Sequence, residues 1–128
     1  MQIHITLIYA AALSLLYVAL SVRVIRHRFG TKVSLGDGGH SHLSVAIRTH
    51  ANFSEYIPLA LILLMGVEIM NYPTTLIHAF GIILVIARLS HVVGMAGKNS
   101  VGIQRPIGVV TTLGLISICA LLILFRSF

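Results

Sequence analysis

Charge is what this chain has least of. Across 128 residues only Asp37, Glu55 and Glu68 are acidic, and all charged residues together make up 9%. A soluble domain carries roughly 25%. So few charges cannot cover a water-facing surface, which excludes a soluble globular domain. Tryptophan is absent, and cysteine occurs once, at Cys119 in an apolar run. A lone cysteine cannot form an intramolecular disulfide, and nothing nearby would stabilise its thiolate, so it reads as packing rather than as a redox centre. Proline is scarce too, and only Pro58 interrupts a long apolar segment.

What remains is hydrophobic: 57% of residues, with mean hydropathy +0.98. The length fits one domain over residues 1–128. Ile3 to Val22 is long enough, at ~20 residues, to cross a bilayer. No Lys or Arg precedes it, so it lacks the basic flank of a signal peptide and is expected to be an uncleaved first helix. Arg23, Arg26, Arg28 and Lys32 follow, and then a Gly36-Asp37-Gly38-Gly39 loop. A second helix is expected from Ser41 or Ser44 to about Ile69, kinked at Pro58. Asn71-Tyr72-Pro73 is a turn, with Pro73 suited to the first helical position. A third helix spans Thr74 to Met95. The polar stretch Ala96 to Gly102 leads to a fourth, opening at Arg105-Pro106 and running through Leu124 to Arg126.

The fold class is therefore an all-α membrane protein, a four-transmembrane-helix bundle whose short connections make neighbours antiparallel. The long continuous apolar runs exclude a β-barrel. Net charge is +6. The basic residues sit at segment ends, with no solvated basic face for a phosphate backbone, so nucleic acid is excluded as a partner. Loop one–two, with Arg23, Arg26, Arg28 and Lys32, and loop three–four, with Lys98 and Arg105, are the basic ones. The positive-inside rule puts both in the cytoplasm and both termini outside.

One stretch stands out: Arg48-Thr49-His50-Ala51-Asn52-Phe53-Ser54-Glu55-Tyr56-Ile57-Pro58. Arg48, Asn52, Glu55 and Tyr56 fall at i, i+4, i+7 and i+8, one face of a helix. Arg48 and Arg88 each lie about seven residues, or ~10 Å, from the cytoplasmic end of their helices. A charge at mid-membrane costs ~2.5–3.5 kcal/mol on insertion scales. An ion pair between Glu55 and Arg88 that fixes the bundle would offset that cost. Arg48, Arg88, Arg105 and the helix-one arginines nevertheless outnumber Glu55, and the surplus suits an anionic ligand with carboxylates. The histidines are not spaced for a metal, so no metal site is expected. His50 points off the Arg48 stripe. His91, at i+3 from Arg88, either bonds a ligand or is satisfied across helices. His78 and His4 read as packing or interfacial residues, and Glu68, near the far membrane face, carries no assigned chemistry.

These residues resemble the membrane-associated proteins in eicosanoid and glutathione metabolism. The likeness rests on Arg48-x-His50-x-Asn52-Phe53-x-Glu55-Tyr56-x-Pro58-Leu59, on Ala87-Arg88-Leu89 with Gly94 beyond, and on Arg105 opening helix four. Gly36-Asp37-Gly38-Gly39 resembles the bacterial branch, and the likeness covers nearly the whole chain. It implies a homotrimer with glutathione between neighbouring subunits. It implies that Arg26, Arg48, Asn52, Glu55, Tyr56, Arg88 and His91 bind glutathione, and that Arg105 stabilises its thiolate as the catalytic residue. His91 and Met95 stand where eukaryotic enzymes carry tyrosines, and His50 replaces a glutamine.

The expected function is a glutathione-dependent transferase or peroxidase acting on a lipophilic electrophile from the bilayer, with membrane lipid around it and a bacterial inner membrane as its expected location. The alternative is a non-catalytic glutathione- or lipid-binding membrane protein. A transporter would more often show broken helices or inverted repeats, and neither is visible.

Overall fold

The computed structural model describes residues 3–97 and 103–128. Four helices follow in order: α1 Ile5–Thr31, α2 Ser41–Ile69, α3 Thr74–Ala96 and α4 Gln104–Ser127. All four are long and apolar enough to cross a membrane. The expected bundle is present, with one correction to its boundaries. Helix one does not stop at Val22. Arg23, Arg26 and Arg28 are helical, and of the basic group only Lys32 stands in the connection, capping α1 with φ 57°. Arginine is a good helix former, and nothing before Gly30 breaks the run, so the backbone continues past the apolar segment. Lys98, in the third connection, lies outside the described residues.

The helices differ in reach. At 1.5 Å per residue α1 and α2 extend ~40 Å or more, and α3 and α4 ~35 Å. The hydrocarbon core is only ~30 Å thick. α1 and α2 are therefore longer than a span of that core requires.

α2 and α3 form the inner diagonal of the bundle. Each packs against every other helix, whereas α1 and α4 do not approach one another among the described residues. The core has two parts. Leu13, Leu20, Phe53, Ile57 and Leu84 fill one; Leu64, Val67, Ile77 and Cys119 fill the other. Cys119 is 3% exposed, a packing residue as its sequence context indicated. α3 and α4 touch closely at glycines. A Cβ on Gly94 would lie 2.6 Å from the Arg105 nitrogen, and one on Gly108 would lie 2.6 Å from the Ala87 carbonyl oxygen. Small residues at such contacts let backbones approach, which matters most where lipid supplies no hydrophobic drive between helices.

The connections are held by specific bonds. Arg28 Nη1 donates to the carbonyl oxygens of Val33, at 3.2 Å, and Gly36, at 2.9 Å. Gly36, Gly38 and Gly39 all have positive φ, as a loop this tight requires. The Gly39 N–H donates to Asp37 Oδ1 at 3.0 Å. That bond, followed by one from the Ser44 hydroxyl, holds the Asp37 carboxyl below its usual range. The α2–α3 turn places Asn71 at φ 57°, with its N–H on the Glu68 carbonyl at 3.0 Å. Asparagine tolerates this left-handed position better than most residues. Pro73 sits one position ahead of the first helical residue, and α2 continues through Pro58.

Candidate functional site

The polar stripe on α2 divides into an outward and an inward half. Arg48 and Glu55 face outward, with side chains 60% and 51% exposed, and they pair with each other at 3.7 Å. Residues seven apart lie two turns up the same face, so a long arginine side chain can span the gap. Asn52, one turn from each, is half-buried and turns the other way. Its Oδ1 accepts from Arg88 Nη2 at 2.6 Å.

This geometry corrects the expected ion pair between Glu55 and Arg88. Glu55 is taken by Arg48, and Arg88 is taken by Asn52. The reason is burial: Arg88 is fully enclosed between α2 and α4, out of reach of the exposed carboxylate. Its Nη1 lies 3.5 Å from Thr112 Oγ1, and its Cζ lies 5.8 Å from the Phe53 ring centre. Thr112 gives its own proton to the Gly108 carbonyl at 2.8 Å, which leaves its oxygen free to accept from Arg88. The Arg88 Nε finds no partner among the described residues.

His91 is 2% exposed. Its Nδ1 donates to the Arg105 carbonyl at 3.3 Å, a bond from α3 to α4. That bond assigns the proton to Nδ1 and leaves Nε2, also without a partner, as the acceptor nitrogen. Arg105 therefore serves α3 through its backbone while its side chain stays exposed. Arg26 is exposed on α1, and Tyr56 is half-buried on α2. Apart from that backbone bond of Arg105, no hydrogen bond or ion pair among the described residues joins Arg26, Arg105 or Tyr56 to the others. Arg26 does border a cleft of about 420 Å³ with Arg23, His27, Ala19 and Val22. A second groove, about 330 Å³ and mostly apolar, runs between α1 and α2 past Tyr17, Phe53 and Pro58.

His50 points off the Arg48 stripe, as its spacing indicated, and it turns to α1. Its Nε2 meets Ser21 Oγ at 3.0 Å and its ring lies over Tyr17, with centres 4.9 Å apart. His78 bonds the Tyr9 hydroxyl at 2.9 Å. No three His, Cys, Asp or Glu side chains gather as a metal site among the described residues. Two contacts had no sequence signal. Thr112 beside Arg88 looked like one more small residue in an apolar helix. Glu68 looked like an interfacial carboxylate. It instead accepts from the backbone N–H groups of His4 at 3.0 Å and of Ile5 and Thr6 at 2.8 Å each, closing the start of α1.

The sequence model of the MAPEG family matches residues 6–125, nearly the full chain. The chain belongs to the MAPEG family. As a MAPEG protein it is a membrane protein of four helices. It is similar to the Inner membrane protein YecN of Escherichia coli strain K12, with 41% identity over 87 residues. The protein of the same name from the O6:H1 strain gives the same identity. In both cases the match covers 68% of this chain and 66% of the relative's length.

Proposed function

We propose that this MAPEG protein binds glutathione at the cytoplasmic side of an inner membrane and conjugates it to a lipophilic electrophile drawn from the bilayer. The observation that carries the proposal is the exposed Arg48–Glu55 pair. Two charged side chains lie open on one face of a helix long and apolar enough to cross a membrane, Arg48 about two turns and Glu55 about four turns from its start. Charges at that depth are costly unless covered by protein, water or a charged ligand. In a homotrimer a neighbouring copy would cover this face, and the exposed side chains of Arg26 and Arg105 would then be available to the same bound tripeptide. Glutathione carries two carboxylates and an ammonium, so it suits a site of guanidinium groups beside one carboxylate.

In this reading Arg48, Asn52, Glu55 and Tyr56 bind the tripeptide. Arg105, at the start of α4, places a guanidinium beside its sulfur. A cation there lowers the thiol pKa and raises the thiolate fraction. The thiol proton leaves to water. The thiolate sulfur then forms a bond to the electrophilic carbon, whose leaving group departs with the bonding pair. In this reading the mostly apolar groove between α1 and α2 receives the electrophile from lipid, the phase in which it dissolves. Both termini lie on the non-cytoplasmic side, by the distribution of basic residues.

Calorimetric titration of the detergent-purified protein with glutathione, followed by turnover of a generic electrophile, tests the proposal. Binding with turnover is expected. Arg105→Ala is expected to lower kcat far more than it raises KM. Arg48→Ala is expected to weaken binding. An unchanged rate in Arg105→Ala would remove Arg105 from the chemistry. Binding without turnover across several electrophiles would favour the non-catalytic alternative.

A further inference from the structure

Arg88 is the only charged residue of α3, and it is fully buried. No ligand on the outer face of α2 can touch it. We infer that Arg88 is a positioning residue: it fixes which way the Asn52 amide faces, and so makes Asn52 a hydrogen-bond donor on the exposed side of α2.

The argument is one of donor and acceptor chemistry. A guanidinium has five N–H donors and no acceptor. The Asn52 atom 2.6 Å from Arg88 Nη2 must therefore be the carbonyl oxygen. The opposite amide orientation would set donor against donor. The contact is short and charge-assisted, the stronger kind of hydrogen bond. Arg88 cannot swing to follow a rotating amide, because Thr112 and Phe53 confine its guanidinium. The Asn52 −NH2 group is thus directed away from Arg88. Its nitrogen has no partner among the described residues, yet it is not sealed off as Arg88 Nε and His91 Nε2 are. It is an open donor, with Arg48 one turn before it and Glu55 and Tyr56 one turn after. A ligand oxygen, carboxylate above all, fits there.

The consequence reaches past Asn52. Arg88 acts on ligand affinity without contact, by setting the hydrogen-bond polarity of a neighbour. The inference rests on the glutathione reading above for the identity of its probe.

Asn52→Asp separates the two faces of the amide. One carboxylate oxygen still accepts from Arg88, so the bundle stays closed. The other replaces an outward donor with a repelling acceptor. Thermal unfolding in detergent is expected to match wild type, while glutathione affinity falls by roughly tenfold or more, the size expected for a lost charge-assisted bond. Glutathione diethyl ester, whose carboxylates are masked, is expected to show a much smaller difference between the two proteins. Arg88→Met, in which the amide is free to turn, is expected to lose affinity as well. Because that variant also empties a braced buried site, Asn52→Asp is the decisive one. If Asn52→Asp folds and binds glutathione as tightly as wild type, the outward donor is refuted and the glutathione reading stands. If wild type itself does not bind glutathione, both fall.

Discussion

Glu68→Ala removes the side chain that closes the start of α1. The first turn of a helix leaves N–H groups with no partner inside it. α1 has no side-chain cap of its own at His4. The Glu68 carboxylate, arriving from the last turn of α2, accepts from three of these groups: Oε1 from His4 and Ile5, Oε2 from Thr6. A hydrogen bond to a charged group is worth ~1.5–3 kcal/mol net where it is buried. The His4 end is exposed and water can replace that bond, so the expected loss is ~2–4 kcal/mol rather than the sum of three. For a chain of this length that corresponds to roughly 6–15 °C in melting temperature. Glu68→Gln provides the internal control. Its remaining oxygen can still serve His4 and Ile5, but its amide sets a donor against the Thr6 N–H. The loss should fall about halfway. Circular dichroism during heating in detergent micelles reads both. A melting temperature for Glu68→Ala equal to wild type, or a Gln variant as unstable as the Ala variant, would refute the capping argument.

Two further predictions concern other parts of the bundle. Gly108→Ala places a methyl 2.6 Å from the Ala87 carbonyl oxygen and 2.7 Å from His91 Cβ, so α3 and α4 must separate; a loss of ~1–3 kcal/mol is expected in the same heating experiment. Asp37 has a folded pKa below its usual value of 3.8, so its contribution to loop stability is present above about pH 4 and is lost as pH falls through the folded value. Protease cleavage of the α1–α2 loop in wild type should therefore rise at acid pH, with Asp37→Asn already at the higher level near neutrality and nearly flat below it.

The architecture was readable because lipid imposes it. Four apolar runs of spanning length leave a chain no alternative to helices, and Gly36 to Gly39 and Asn71 to Pro73 mark connections by backbone chemistry alone. The missed boundary at Thr31 has a physical cause: hydropathy reports where the membrane ends, and a helix can continue into water. The α2 stripe was legible as a set of neighbours, because helical spacing is regular. Its partners were not. Spacing placed Arg48, Asn52 and Glu55 on one side of α2, but whether Arg88 meets the amide or the carboxylate depends on how α2 and α3 are rotated about their axes. That rotation is set by packing at Phe53, Thr112 and Gly108, none of which announces itself in sequence. Glu68 was hidden for a similar reason, since a carboxylate reaching a helix start more than sixty residues earlier has no local signature.

The closure of α1 by Glu68 also sets an order of events during synthesis. The chain emerges N-terminus first, so α1 is made with the beginning of its backbone ladder unfinished. Completion waits until the whole of α2 has been made and its last turn has crossed to the same face. At the opposite face Arg28 of α1 is held by the carbonyls of Val33 and Gly36, which follow it closely and are available early. The hairpin is thus fastened first at its connected end and last at its open end. Closure of α1 is then completed only together with α2, and a nascent chain truncated before residue 68 should leave α1 in the bilayer without its latch.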